Sequence, residues 1–75
     1  MDKYEYRLKA EQIEKLVKKK DYKTAAKIAD TIDWRRVKNL SMLYIVAEVY
    51  EELERYEDCM EILNIAYDRA PVGRM

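Results

Sequence analysis

Residues 40–71, LSMLYIVAEVYEELERYEDCMEILNIAYDRAP, decide the fold of this 75-residue chain. Apolar side chains recur in the first half with the i, i+3, i+4, i+7 spacing of a helix face: Leu40, Leu43, Tyr44, Ala47, Tyr50 and Leu53. This period predicts an amphipathic helix. Further apolar residues lie on its other sides, so we expect it to be buried on more than one side.

A second helix is predicted to start near Tyr56, where two acidic residues suit the first turn. Its expected inward face consists of Cys59, Met60, Leu63, Ala66, Tyr67 and Ala70. Pro71 should end it, because the residue before a proline avoids the helical region of backbone space. Residues 40–71 therefore predict two helices joined by a tight turn.

The preceding residues predict another pair of helices. Asp2 and Glu5 have the spacing of a capping box, so the first helix should begin at Asp2. Asp21 is predicted to cap a second helix that runs from about Tyr22 to Ile32. The whole chain then reads as an all-α fold in a single domain, residues 1–75.

The connector, residues 33–39, contains no glycine or proline, so we expect helical or 3₁₀ turns in it. Either Asp33 or Asn39 could cap the next helix. Trp34 has two interpretations. It closes the groove between neighbouring helices, or it is an exposed anchor for a partner, since tryptophan and arginine are enriched at binding hot spots.

Composition sets limits on location and chemistry. Charged residues make up 40% of the chain, and glycine and proline occur once each. No apolar run approaches the ~18 residues of a membrane span, and the start, MDKYEYRLKAEQ, is too charged for a signal peptide. We expect no membrane insertion and a cytoplasmic protein.

The net charge of zero conceals two opposite halves. Residues 1–38 carry 12 Lys/Arg and 7 Asp/Glu, a balance of +5, and residues 39–75 carry 3 and 8, a balance of −5. The halves either attract each other within the fold or allow copies to stack head to tail. An alternative function is contact of the basic half with nucleic acid or another acidic partner. The lysines at 18–20 equally suit the negative end of a helix.

Catalytic residues are scarce. The chain has no histidine, no Gly-rich loop and a single cysteine, Cys59, with acidic residues on both sides. Acidic neighbours raise the pKa of a thiol and make it a poor nucleophile. We therefore expect no enzyme, no cofactor and no metal site.

The two halves match when the chain is shifted by 34 residues. Matching apolar or small positions include Tyr22 with Tyr56, Ala25 with Cys59, Ile28 with Ile62 and Ala29 with Leu63. Thirty-four residues is the period of the tetratricopeptide repeat. Residues 40–71 resemble that family at Leu43, Val46-Ala47, Tyr50, Tyr56, Cys59, Leu63, Ala66 and Pro71. Residues 6–39 fit more loosely, with Lys9, Ile13 and Val37 at family positions of other character. Neither unit has the glycine common at the turn, where Lys20 and Glu54 stand.

The resemblance implies a four-helix solenoid fragment of antiparallel helix-turn-helix units, with repeat one at 6–39 and repeat two at 40–73. It also implies a protein–protein interaction module or scaffold whose first helices line a concave groove for a peptide or protein segment. The groove candidates are Arg7, Ala10, Glu14, Val17, Lys18, Ser41, Tyr44, Glu48, Glu51 and Glu52. The mostly acidic second set suits a basic segment, unless these glutamates are simply a solvated helix face. Together with Trp34, the proposed partner-binding residues are Arg7, Glu14, Lys18, Tyr44, Glu48, Glu51 and Glu52.

A solenoid buries its core by stacking neighbouring repeats, and two repeats leave one stack end uncovered. We expect Ile45, Val49, Ile62 or Ile65 to be partly uncovered there. The chain is then a fragment of a longer array or a homo-oligomer, stacked head to tail or about a two-fold axis. A helix-swapped dimer through a straightened connector is a further alternative.

Overall fold

A computed structural model describes residues 2–69. These residues form four α-helices: α1 (Lys3–Lys18), α2 (Tyr22–Ala29), α3 (Leu40–Glu52) and α4 (Tyr56–Arg69). A 3₁₀ turn, Trp34–Arg36, lies between α2 and α3, and no strand occurs in this range. The all-α helix-turn-helix prediction is confirmed. The predicted roles of Ala70 and Pro71 lie outside the described residues.

Side-chain caps start three of the helices. In each case an oxygen of the capping side chain accepts a hydrogen bond from the backbone N–H three residues later, at 2.7 Å for Asp2 and 3.2 Å for Asp21 and Asn39. Asn39 is therefore the residue that caps α3. Asp33 caps the 3₁₀ turn instead, and accepts from the N–H two residues later at 3.2 Å.

Helix α2 is shorter than predicted and ends at Ala29 rather than Ile32. Two side chains take the carbonyls at its end. The Thr31 hydroxyl donates to the Ile28 carbonyl at 2.7 Å, and the Trp34 indole donates to the Ala29 carbonyl at 2.9 Å. These bonds satisfy helix-end acceptors that would otherwise need a further turn.

The turns between α1 and α2 and between α3 and α4 have the same geometry, 34 residues apart. Lys20 and Glu54 are both left-handed, with φ of 62° and 61°. Each donates its N–H to the carbonyl three residues earlier, at 2.9 Å in both turns. The following N–H bonds the carbonyl five residues earlier, at 2.9 and 2.8 Å. Both turns are Schellman motifs, in which glycine is the usual left-handed residue.

Helix α3 lies at the centre of the fold and packs against all the other helices, most extensively against α4. Its apolar side chains are buried on two adjacent stripes: Met42, Val46 and Val49, and Leu43, Ala47 and Tyr50. This agrees with the expectation of burial on more than one side. The expectation that Val49 and Ile62 would be partly uncovered is wrong, since both are buried. Ile45 and Ile65 are half-buried.

The orientation of α4 differs from the prediction. Its buried residues are Cys59, Ile62 and Ala66, whereas Met60, Leu63 and Tyr67 are 55%, 36% and 67% exposed. Apolar residues occur on both sides of this helix, so periodicity alone did not determine which side faces inward. Packing against α3 places Ile62 inside and leaves the other stripe on the surface.

Candidate interaction surfaces

A polar cluster joins the first helix pair, α1 and α2, to the second pair, α3 and α4. The Tyr50 hydroxyl donates to Oδ1 of Asp30 at 2.8 Å. Arg55 donates to both oxygens of the same carboxylate, at 3.0 and 3.1 Å, and its Nε donates to Asp58 at 2.9 Å. The guanidinium carbon lies 4.6 Å from the centre of the Tyr50 ring. We call these residues, Asp30, Tyr50, Arg55 and Asp58, the inter-pair clamp.

The clamp shifts the pKa values of its members away from their ordinary ranges. Burial, followed by the hydrogen bond to Asp30 and its charge, raises the pKa of Tyr50. The hydrogen bond to Asp30 also raises the pKa of Arg55. Burial acts to raise the pKa of Asp30, but the hydrogen bonds from Arg55 and Tyr50 outweigh it and lower that pKa. The clamp is thus held as a carboxylate, a neutral phenol and a guanidinium.

Trp34, predicted as a partner-binding residue, is only 6% exposed. Its indole donates to the Ala29 carbonyl, and its ring meets that of Tyr6 edge to face at 6.3 Å between centroids. The exposed-anchor interpretation is therefore wrong, and the tryptophan packs inside the fold. The buried hydroxyl of Tyr6 makes no hydrogen bond to any described residue. Burial first, then the charge of Glu14, raises the pKa of Tyr6.

Two of the predicted groove residues lie together. Arg7 and Glu14 line one open groove of about 420 Å³ between α1 and the start of α3, with Lys3, Tyr6, Ala10, Glu11, Asn39 and Met42. Lys18 is exposed at the far end of α1, and Tyr44 is exposed on α3. The groove floor is apolar and its rim carries charges of both signs.

The predicted acidic set is exposed but divides into two parts. The pKa of Tyr22 is raised by burial and then by the charges of Glu52 and Glu48, which places both carboxylates near the start of α2. Glu51 acts instead on Cys59 of α4, whose pKa is raised by burial and then by that charge. Glu48 and Glu52 therefore form one acidic edge, and Glu51 lies apart from it.

The structure shows little that could carry chemistry. Cys59 is buried as a free thiol. In residues 2–69, no cluster of three or more histidine, cysteine, aspartate or glutamate residues could hold a metal ion. Over the same range no helix is both long and apolar enough to cross a membrane.

Exposed apolar side chains form the most distinctive surface. We call Tyr44, Met60, Leu63 and Tyr67 the C-terminal face. The last three follow one stripe of α4 at i, i+3 and i+7, the spacing of one helix side. The residues 34 positions before the first three are alanines: Ala10, Ala26 and Ala29, all buried. The second pair thus exposes large apolar groups where the first pair buries small ones.

The sequence analysis missed two of these features. The members of the inter-pair clamp are 20 or more residues apart except for Arg55 and Asp58, so no local pattern joins them. The C-terminal face could have been found from the 34-residue shift, which aligns Ala29 with Leu63. Comparison of the chain with protein-family models, with curated proteins and with solved structures gave no match.

Proposed function

We propose that this chain is a tetratricopeptide-like protein–protein interaction module that binds a partner segment through its helix faces and also self-associates. The observation that carries the proposal is the C-terminal face. Its Met60, Leu63 and Tyr67 side chains are exposed on one stripe of α4, where the first helix pair has buried alanines or a polar residue. Contiguous exposed apolar groups of this kind are typical of interaction sites.

The groove between α1 and α3 suits an extended peptide segment. Its apolar floor can take a side chain, while Arg7 and Glu14 on the rim can pair with charges of either sign. At the acidic edge, Glu48 and Glu52 favour a lysine- or arginine-containing segment, since complementary charge steers association and fixes orientation. This division of tasks separates partner binding from self-association.

Peptide binding tests the first half of the proposal. A fluorescein-labelled, lysine-rich peptide is titrated with the protein and followed by fluorescence anisotropy at low salt. We expect binding in the micromolar range, and a Glu48→Lys, Glu52→Lys double variant should weaken it by about 10-fold or more, equal to ~1.4 kcal/mol. Glu57→Lys and Glu61→Lys, on exposed α4 positions, form the matched control. No binding by the wild type at high micromolar levels, or an equal loss in the control, would contradict the groove assignment.

Contact with nucleic acid is the second candidate function. Lys18, Lys19 and Lys20 are all exposed at the end of α1 and give a compact basic site. Binding of this kind would weaken steeply as salt rises, because it releases counterions from phosphates. An anisotropy titration with a labelled duplex at several salt concentrations distinguishes it from peptide binding. The cytoplasmic location and the absence of catalysis stay predictions.

A further inference from the structure

We propose that a second copy of this chain docks head to tail, so that the N-terminal face of one copy covers the C-terminal face of the other. The N-terminal face consists of Leu8, Leu16 and Ile28. This inference rests on the proposed function and deepens it, since it names the partner and the surfaces used in self-association.

The joint inside the chain shows how such a contact can form. On the second pair, Met42 lines the groove against Tyr6 and Ala10, and Ile62 lines the cleft against Ala29. Tyr50 reaches Asp30 through its hydroxyl. Met42, Tyr50 and Ile62 are thus the residues that the second pair turns toward the first pair.

Shifting these residues back by 34 positions gives Leu8, Leu16 and Ile28. Leu8 is exposed, and the other two are half-buried. The N-terminal face therefore has apolar side chains at the positions that a preceding helix pair would cover. Shifting the opposite side of the joint forward, from Ala10 and Ala29, gives Tyr44 and Leu63 on the C-terminal face. Each copy thus carries both halves of a joint like the one within it.

Charge decides how two copies are oriented. Exposed lysines lie around the N-terminal face, at Lys15, Lys19 and Lys23. Exposed carboxylates lie around the C-terminal face, at Glu48, Glu57 and Asp68. Head-to-tail contact brings opposite charges together, whereas a two-fold contact between two C-terminal faces brings carboxylates together at a free-energy cost.

The contact between copies should be weaker than the joint within a chain. The inter-pair clamp has no counterpart there, because Leu16 and Asp21 stand 34 positions before Tyr50 and Arg55, and Asn64 stands 34 positions after Asp30. Apolar burial and rim charges are left to hold the copies together, so association is reversible. Because each bound copy exposes a fresh face, the contact does not close at a dimer unless the copies form a ring.

The test uses one variant for each face, each of the full chain. Met60→Glu adds a charge to the C-terminal face, and Leu8→Lys adds one to the N-terminal face. Both replaced side chains are exposed, so folding should be retained, which far-ultraviolet circular dichroism checks. Ser41→Glu and Ser41→Lys are the matched controls, because Ser41 is exposed on α3 outside both faces.

Mass is measured by light scattering and sedimentation from micromolar to about 1 mM, the range of weak association. Wild type and the Ser41 variants should grow in mass with concentration past the dimer, and less so at high salt. Each face variant alone should weaken association by about 10-fold or more. A 1:1 mixture of the two variants should form a heterodimer that does not grow further, because only one intact pair of faces remains.

Other results overturn the proposal. A monomeric wild type over the whole range removes the contact, and a Leu8→Lys variant that still dimerises points to a two-fold contact of C-terminal faces. A mixture without heterodimer excludes head-to-tail docking of these faces. Peptide binding by monomeric Met60→Glu is measured in parallel, because it uses the groove between α1 and α3. Its persistence would keep the proposed partner binding even if the copies do not dock, and its loss would not.

Discussion

Replacing Tyr50 with phenylalanine should lower the free energy of unfolding by about 1 kcal/mol, because it removes only the hydroxyl from the inter-pair clamp. The ring stays buried beneath Arg55, and the lost bond is the 2.8 Å donation to Asp30. Hydrogen bonds to charged groups contribute ~1.5–3 kcal/mol. The Asp30 side chain is 44% exposed, so water replaces part of the lost bond and the effect falls below that range.

Urea unfolding followed by far-ultraviolet circular dichroism measures this change. With a slope of ~1 kcal/mol per M for a small domain, the midpoint should fall by about 1 M. The same loss should lower Tm by ~4–8 °C. The Met60→Glu background keeps the chain monomeric during these measurements, so that self-association does not alter the apparent stability.

Tyr6→Phe is the matched control, since it removes a buried hydroxyl that bonds to no described residue. Losing an unpaired buried group is neutral or stabilising, so its midpoint should stay within about 0.5 M of wild type or rise. If Tyr6→Phe costs as much as Tyr50→Phe, or if Tyr50→Phe leaves the midpoint unchanged, the hydroxyl does not hold the two pairs together.

The pH dependence of the same difference gives a second check. The raised pKa of Tyr50 means that its contribution is complete below pH ~10, the unfolded value, and is lost as pH rises toward the folded value. The lowered pKa of Asp30 means that its contribution is present at neutral pH and is lost as pH falls below ~4. The gap between wild type and Tyr50→Phe should therefore be widest near neutrality and narrow at both extremes.

Two further predictions concern packing and turns. Leu43→Ala should cost ~2–5 kcal/mol in urea unfolding because Leu43 is fully buried, whereas Leu63→Ala should cost about 1 kcal/mol or less because much of that side chain is already in water. Equal costs would contradict the orientation of α4. Lys20→Gly and Glu54→Gly should each raise the free energy of unfolding by ~0.5–1 kcal/mol, since relief of the left-handed backbone outweighs the added entropy of the unfolded chain. Lys19→Gly, at a residue with φ of −88°, should lower Tm instead, and a gain there would show that the turn geometry is not the cause.

Local signals predicted most of the helix boundaries. Asp2, Asp21 and Asn39 cap helices through their own side chains, so sequence spacing alone located those starts. The turn at Lys20 was also located by the 34-residue shift, although its left-handed backbone required the structure. Boundary prediction failed at Ala29, where the indole of Trp34 and the hydroxyl of Thr31 end α2 from outside the helix.

Long-range packing accounts for the remaining errors. Helix α4 carries apolar residues on two sides, and only contact with α3 selects Ile62 for the interior over Leu63. Trp34 was open to two interpretations because its burial depends on Tyr6, 28 positions earlier in the chain. The predicted acidic set looked continuous in sequence, but the helix turns Glu51 away from Glu48 and Glu52.

The residue after the left-handed position differs between the two turns, and this difference affects how the chain unfolds. In the first turn Asp21 caps its own helix. In the second turn Arg55 stands at that position, and an arginine side chain has no acceptor with which to cap a helix. It binds Asp30 in the other helix pair instead. Stabilisation is thereby moved from within a unit to the interface between units, which raises the cooperativity of a repeat array. The two helix pairs should therefore melt in a single transition.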